Sequence, residues 1–227
     1  MGKEAEGQAT WSAVEAYVKD CVIMPDDALE RSLIKSAEAG LPEIQVPPGL
    51  GKLLHLLARS IGAKRILEVG TLGGYSAIWM ARGLADGGKL ITLERDPHHA
   101  KVARDNIAHA GLSDRVELIE GPALETLETI AAKDEGPFDL VFIDADKQSN
   151  ADYFAWAVKL ARVGSIIIVD NVVRDGEVID ADSKDENIQG VRRLNDLIAS
   201  EPRVSATTIQ TVSGKGYDGF TLATVVG

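Results

Sequence analysis

A single cysteine in 227 residues leaves no internal disulfide to form, so Cys21 points to a reducing compartment. The opening MGKEAEGQATW lacks the apolar stretch of a secretory signal. Long apolar runs are missing as well: the longest uninterrupted aliphatic stretch, Ile166–Val169, is far too short to span a bilayer. No dense Lys/Arg block occurs, and 24 basic residues stand against 35 acidic ones, a formal charge of −11. Such a surface repels a phosphate backbone or an anionic membrane. These absences together predict a soluble, cytoplasmic protein with neither a nucleic-acid nor a membrane partner.

Several chemistries are missing too. There is no G-x-S-x-G elbow, and Cys21 has no histidine nearby in sequence, so covalent catalysis finds little support. His98, His99 and His109 fall on one predicted helix and His55 on another, at spacings that do not converge on zinc.

What is present suits one globular domain with an appendage. Hydrophobic residues make up 45% of the chain and charged ones 26%, enough for a substantial core. Up to about Leu41 the chain reads as helical. One apolar stripe runs through Ala13, Val14, Tyr17 and Val18, and another through Ala28, Leu29, Ser32, Leu33 and Ala37. Pro42, Pro47, Pro48, Gly49 and Gly51 interrupt that region. A third helix with Leu53, Leu54, Leu56, Leu57 and Ile61 closes at Gly62.

From Lys64 short β-branched runs alternate with amphipathic helices. Strands are expected at Arg65–Val69, Lys89–Leu93, Val116–Glu120, Asp139–Ile143 and Ser165–Val169. Helices are expected at Ser76–Gly83, His98–Ala110, Ala123–Lys133 and Ala151–Ala161. This rhythm predicts βαβ units and a doubly wound, mostly parallel α/β sheet covered on both faces. A helix at about Asn187–Ser200 follows, then strands at about Val204–Thr211 and Gly219–Val225, joined by VSGKGYDG as an antiparallel edge. The expected division is a helical extension, 1–45, and one α/β domain, 46–227.

The segment ILEVGTLGGYSAIWMA ends the first strand in a glycine turn. Gly70, Gly73 and Gly74 allow positive φ and close backbone approach, and Ser76 is placed to cap the following helix. The spacing is not G-x-G-x-x-G, and the Glu68 carboxylate beside the turn suits a cation, such as an ammonium, better than a pyrophosphate. Glu94 ends the next strand, where a carboxylate commonly accepts from ribose hydroxyls. Glycines and two strand-end acids together fit a nucleoside that carries an amino acid, S-adenosyl-L-methionine (SAM).

A second cluster follows. FDLVFIDADKQSN puts Asp144, Asp146 and Lys147 just past the fourth strand, and SIIIVDNVV puts Asp170 and Asn171 at the end of the fifth. One helical crossover separates them, so both groups should emerge on the same sheet edge. Two carboxylates and an amide favour a hard cation: Mg²⁺ first, with Ca²⁺ or Mn²⁺ as alternatives. Lys147 is the acid/base candidate, because desolvation beside a cation disfavours its protonated form. Asp146 reads either as a loop charge or as the acid that orients Lys147.

With these residues in view, the sequence resembles the cation-dependent class I SAM O-methyltransferases, the family of caffeoyl-CoA and catechol O-methyltransferases. The resemblance runs from about Gln45 to the C-terminus, through IGAKRILEVGTLGGYSAIWMA, LITLERDPHHA, EGPALETL, FDLVFIDADK and IIIVDNVVRDG. FIDADK followed by VDN at crossover spacing is its specific part. It implies a Rossmann-like seven-stranded sheet of order 3-2-1-4-5-7-6 with the last strand antiparallel, a homodimer, and an N-terminal extension that helps close the site. It places cofactor contacts on Val46, Glu68, Gly70, Ser76, Glu94, Ala123 and Asp144, cation ligands on Asp144, Asp170 and Asn171, and catalysis on Lys147 with Asp144. Gly49 and Lys52 stand where related sequences often carry Glu and Gln, and Asn150 where many carry Tyr. The expected reaction is methyl transfer to a phenolic small molecule, most simply one of two vicinal hydroxyls. Two other readings stay open: an NAD(P)-dependent oxidoreductase on the same kind of sheet, and a non-catalytic SAM- or metal-binding module.

Overall fold

The structure is a computed structural model and describes residues 2–227; Met1, the first residue of the expected extension, lies outside the described residues. Helices α1 (Gly2–Val18), α2 (Asp27–Glu38) and α3 (Pro48–Ser60) precede the sheet. A π-helical turn, Lys19–Ile23, continues α1. Then come β1 (Arg65–Val69), α4 (Tyr75–Gly83), β2 (Lys89–Glu94), α5 (Pro97–His109), β3 (Val116–Glu120), α6 (Ala123–Ala132) and β4 (Phe138–Ile143). The chain ends with α7 (Asn150–Leu160), β5 (Ala161–Asp170), α8 (Glu186–Ser200), β6 (Val204–Ser213) and β7 (Gly216–Val225).

The seven strands form one sheet of order β3-β2-β1-β4-β5-β7-β6, as expected. Neighbours from β3 to β5 are parallel, and β7 runs antiparallel to both β5 and β6. The period of two in a strand divides its side chains between two cores. Ile66, Leu90, Leu140 and Ile168 pack with Leu54, Ile78 and Met80 on one face. Their neighbours Leu67, Ile91, Val141 and Ile167 pack with Leu127, Phe154 and Leu194 on the other. Burial on both faces explains the near-continuous apolar sequence of the central strands. Asp139 ties three strands at their starts. Its Oδ2 accepts from the N–H groups of Lys64 and Arg65 at 2.7 and 2.9 Å, and its Oδ1 accepts from Arg162 Nε at 2.9 Å.

Three expectations need correction. The Val14 and Tyr17 stripe of α1 is exposed rather than buried. Polar bonds to the β6–β7 turn hold α1 instead: Gln8 Nε2 donates to Gly214 O at 2.8 Å, and Glu15 Oε2 accepts from Gly214 N at 2.5 Å. The strand β5 begins at Ala161, four residues before the expected start, with an irregularity in its pairing between Phe138 and Leu140. The segment VSGKGYDG is mostly strand, because the ladder pairs Val212 with Tyr217 and Ser213 with Gly216 and leaves only Gly214 and Lys215 in the turn. Among the described residues no helix is long and apolar enough to cross a membrane.

Candidate active site

The sheet order reverses direction between β1 and β4, and the C-terminal ends of β1, β2, β4 and β5 open on one edge there. In open α/β sheets this is where ligands bind. Every residue singled out on the strand ends lies along it.

Gly70 ends β1 with φ +98°, and a Cβ built on it would lie 2.1 Å from the backbone oxygen of Asp144. The close approach of β1 and β4 therefore admits only glycine. Gly74, left-handed at φ 84°, starts α4. Ser76 does not cap that helix, contrary to expectation: its Oγ donates to Glu68 Oε1 at 2.5 Å. Glu68 has no exposed surface, and its Oε2 accepts from Thr92 Oγ1 at 2.6 Å. Burial lifts its pKa to about 8; the Ser76 and Thr92 hydroxyls pull the other way, and the charges of Asp144 and Glu94 raise it further. A buried carboxylate so placed gains most from a cationic neighbour.

Glu94 braces the same turn. Its Oε2 accepts from the N–H groups of Leu72 and Thr71 at 2.8 and 3.3 Å, and its Oε1 from Asp96 N at 2.9 Å. An ionised carboxylate has about four acceptor directions, so capacity for a ribose hydroxyl remains. Ala123, half-buried at the first turn of α6, follows Gly121, whose N–H donates to Glu94 O at 2.9 Å. Val46 is buried on the segment before α3 and lines a cavity of about 290 Å³ with Tyr75, Pro47, Pro48 and Lys215.

Past β4, Asp144 is half-buried and Lys147 buried, with Lys147 Nζ 2.8 Å from Asp144 Oδ1. Lys147 thus pairs with Asp144, not Asp146. Asp146 accepts instead from the Tyr153 hydroxyl at 2.6 Å. Burial pushes its carboxyl up, but bonds from Ser149 and Tyr153 outweigh this and hold it below the usual range. At the end of β5, Asp170 is 6% exposed and its Oδ1 accepts from Asn171 N at 2.9 Å. Burial first, then the charge of Asp144, pushes Asp170 up to about 7. Asn171 takes a left-handed φ of 58°, which asparagine tolerates better than most residues. Two neighbouring acids under mutual repulsion, with an amide beside them, form a donor set that fits a hard cation. Among the described residues no group of three or more His, Cys, Asp or Glu is placed to hold a metal ion. The expected set has two carboxylates and one amide, which leaves water and acceptor oxygens to complete the coordination.

Several residues here escaped sequence reading. Thr92 and Thr71 stand behind Glu68, and the one signal was a polar residue in the otherwise apolar strand LITLE. Lys215, on the β6–β7 turn, donates to the carbonyls of Glu43 and Gln45 just ahead of Val46. Asn150, at one of the departures from the family pattern, has no exposed surface, and its amide finds no hydrogen-bond partner.

Comparison with known proteins bears on the chemistry. A family model described as O-methyltransferase matches residues 22–225. A catechol O-methyltransferase of Mycobacterium tuberculosis is 50% identical over 212 residues, covering 93% of this chain and 94% of its own. One from Niastella koreensis is 48% identical over 215 residues, covering 95% and 97%. Among solved structures, an O-methyltransferase from Bacillus cereus in complex with SAH superposes with a TM-score of 0.95 at 56% identity, covering 96% of this chain and 99% of its own.

Proposed function

The chain belongs to the O-methyltransferase family, and from that premise we propose that it moves the methyl of SAM to one hydroxyl of a catechol-like phenol with the help of a divalent cation. SAM-dependent O-methylation follows from the membership; the phenolic acceptor, the cation and the residue roles are our reading of the site. One observation carries that reading: Asp144, Lys147, Asp170 and Asn171 converge at the ends of two adjacent strands, with the lysine already paired at 2.8 Å.

Asp144, Asp170 and Asn171 would hold the cation, Mg²⁺ by preference, and when bound it would lower the pKa of a phenolic hydroxyl nearby. Lys147 as the neutral amine would take or share the hydroxyl proton, with Asp144 fixing the side chain in place and pairing with the ammonium that results. Its pairing also keeps an uncompensated positive charge away from the sulfonium, whose charge disappears during transfer. Glu68 and Ser76 would face the amino-acid end of SAM, Gly70 and Val46 its middle, and Glu94 and Ala123 its nucleoside end. Orientation supplies much of the acceleration, because the methyl arrives already activated.

The same proposal assigns residues 1–45 as a helical cover over a domain spanning 46–227, and the bonds between α1 and the β6–β7 turn support it. It includes a homodimer, supported by the exposed Val14 and Tyr17 and by the uncharged, exposed edge strand β6. It places the protein in the cytoplasm, supported by the free, exposed Cys21. A nicotinamide cofactor fits less well, since the turn with Gly70, Gly73 and Gly74 lacks the G-x-G-x-x-G spacing and has the Glu68 carboxyl beside it. Chelation by EDTA should abolish turnover and Mg²⁺ should restore it; turnover indifferent to chelation contradicts the cation's part.

A further inference from the structure

Two buried threonines stand behind the cofactor wall with no role in the reading above. Thr92 on β2 lies directly opposite Glu68 on β1 in the parallel register, and it has no exposed surface. Its hydroxyl donates to Glu68 Oε2 at 2.6 Å. A hydroxyl has one proton, so the 2.5 Å contact between the two threonines has Thr71 Oγ1 as donor and Thr92 Oγ1 as acceptor. Thr71 is 2% exposed and gives its backbone N–H to Glu94 Oε2 at 3.3 Å. This one residue of the glycine turn therefore reaches both acids, Glu94 through its N–H and Glu68 through Thr92. Ser76, the outermost of the three hydroxyls at 8% exposure, also donates to Glu68. All three hydroxyl protons thus run toward one carboxyl group.

We propose that Thr71 and Thr92 are positioning residues for SAM, a hydroxyl relay that fixes Glu68 as an acceptor at the amino-acid end of the site, favours its ionised form when a ligand ammonium arrives, and couples it to the turn held by Glu94. The relay rests on the SAM reading of the site. Its need is electrostatic. Burial works against the charge on Glu68, Asp144 and Glu94 add to that, and only the hydroxyl donors of Ser76 and Thr92 oppose it. Without the Thr92 hydroxyl the carboxyl holds its proton more tightly. A neutral Glu68 becomes a donor itself and breaks the one-way run of protons that suits an ammonium.

Calorimetric titration with two ligands separates this role from simple core packing: S-adenosylhomocysteine, which carries the amino-acid end, and 5′-methylthioadenosine, which lacks it. Thr92→Val should weaken S-adenosylhomocysteine by about tenfold to a hundredfold, the usual range for a lost bond to a charged group. It should leave 5′-methylthioadenosine within about twofold. Thr92→Ser, which keeps the hydroxyl, should restore binding, and Thr71→Val should show a smaller loss of the same selectivity. If Thr92→Val does not fold, Thr71→Val carries the test with the same two ligands. Unchanged binding of S-adenosylhomocysteine, or equal loss of both ligands, overturns the relay. A wild-type protein that binds neither ligand overturns the SAM reading instead, so the two failures are distinct.

Discussion

The charge on Glu68 gives the site a measurable pH dependence. Burial, opposed by two hydroxyl donors, lifts its pKa from the usual 4.5 to about 8. At pH 7, below that value, most empty molecules carry Glu68 protonated. A ligand ammonium binds the ionised form. Affinity for S-adenosylhomocysteine should therefore rise close to tenfold from pH 6 to pH 7 and level off above about 8, with nearly one proton released per ligand bound at pH 7. Stability has the opposite sign. A carboxyl whose folded pKa is raised favours the fold while protonated, so the empty protein should lose thermal stability as pH climbs from 4.5 toward 8. A saturating ligand should cancel that loss. Titration calorimetry at several pH values, in two buffers of different ionisation enthalpy, reads affinity and proton release together. Affinity flat between pH 6 and 8 with no proton released would refute the pairing of Glu68 with the ligand's ammonium.

Three substitutions test other parts of the site. Lys147→Ala should lower kcat by about 10²–10⁴-fold, the usual worth of acid–base assistance, with a much smaller change in SAM affinity by calorimetry; equal losses would make the lysine structural. Gly70→Ala should lower the melting temperature sharply. A side chain at positive φ costs about 1–2 kcal/mol by itself, and the new Cβ would also collide with Asp144 O at 2.1 Å. A wild-type melting curve would contradict the close approach of β1 and β4. Asn150→Leu should leave stability unchanged or raise it, because the fully buried amide has no partner to lose; a lower melting temperature would show that the amide is satisfied, for instance by a buried water.

The sheet edge that carries the candidate site was largely legible in the chain because its markers are local. A strand buried on both faces reads as an apolar run, and the glycine turn, FIDADK and VDN sit at strand ends where the crossover spacing places them together. What escaped depended on contacts between distant segments. Val14 and Tyr17 belong to an apolar stripe at helical spacing, yet both are exposed and α1 is held through Gln8 and Glu15 by the β6–β7 turn, some 200 residues on. Ser76 has the sequence of a helix cap, but Gly74 starts the helix and frees Ser76 for Glu68. Thr92 shows its purpose only once the parallel register sets it opposite Glu68.

Mass analysis of products from a panel of vicinal diols and single-hydroxyl phenols, incubated with SAM and Mg²⁺, tests the central claim most directly. The account predicts a product one methyl heavier from the diols, formed only when SAM and the cation are both present. Methylation that ignores the cation and prefers single hydroxyls, or no methylated product from any diol, would contradict it.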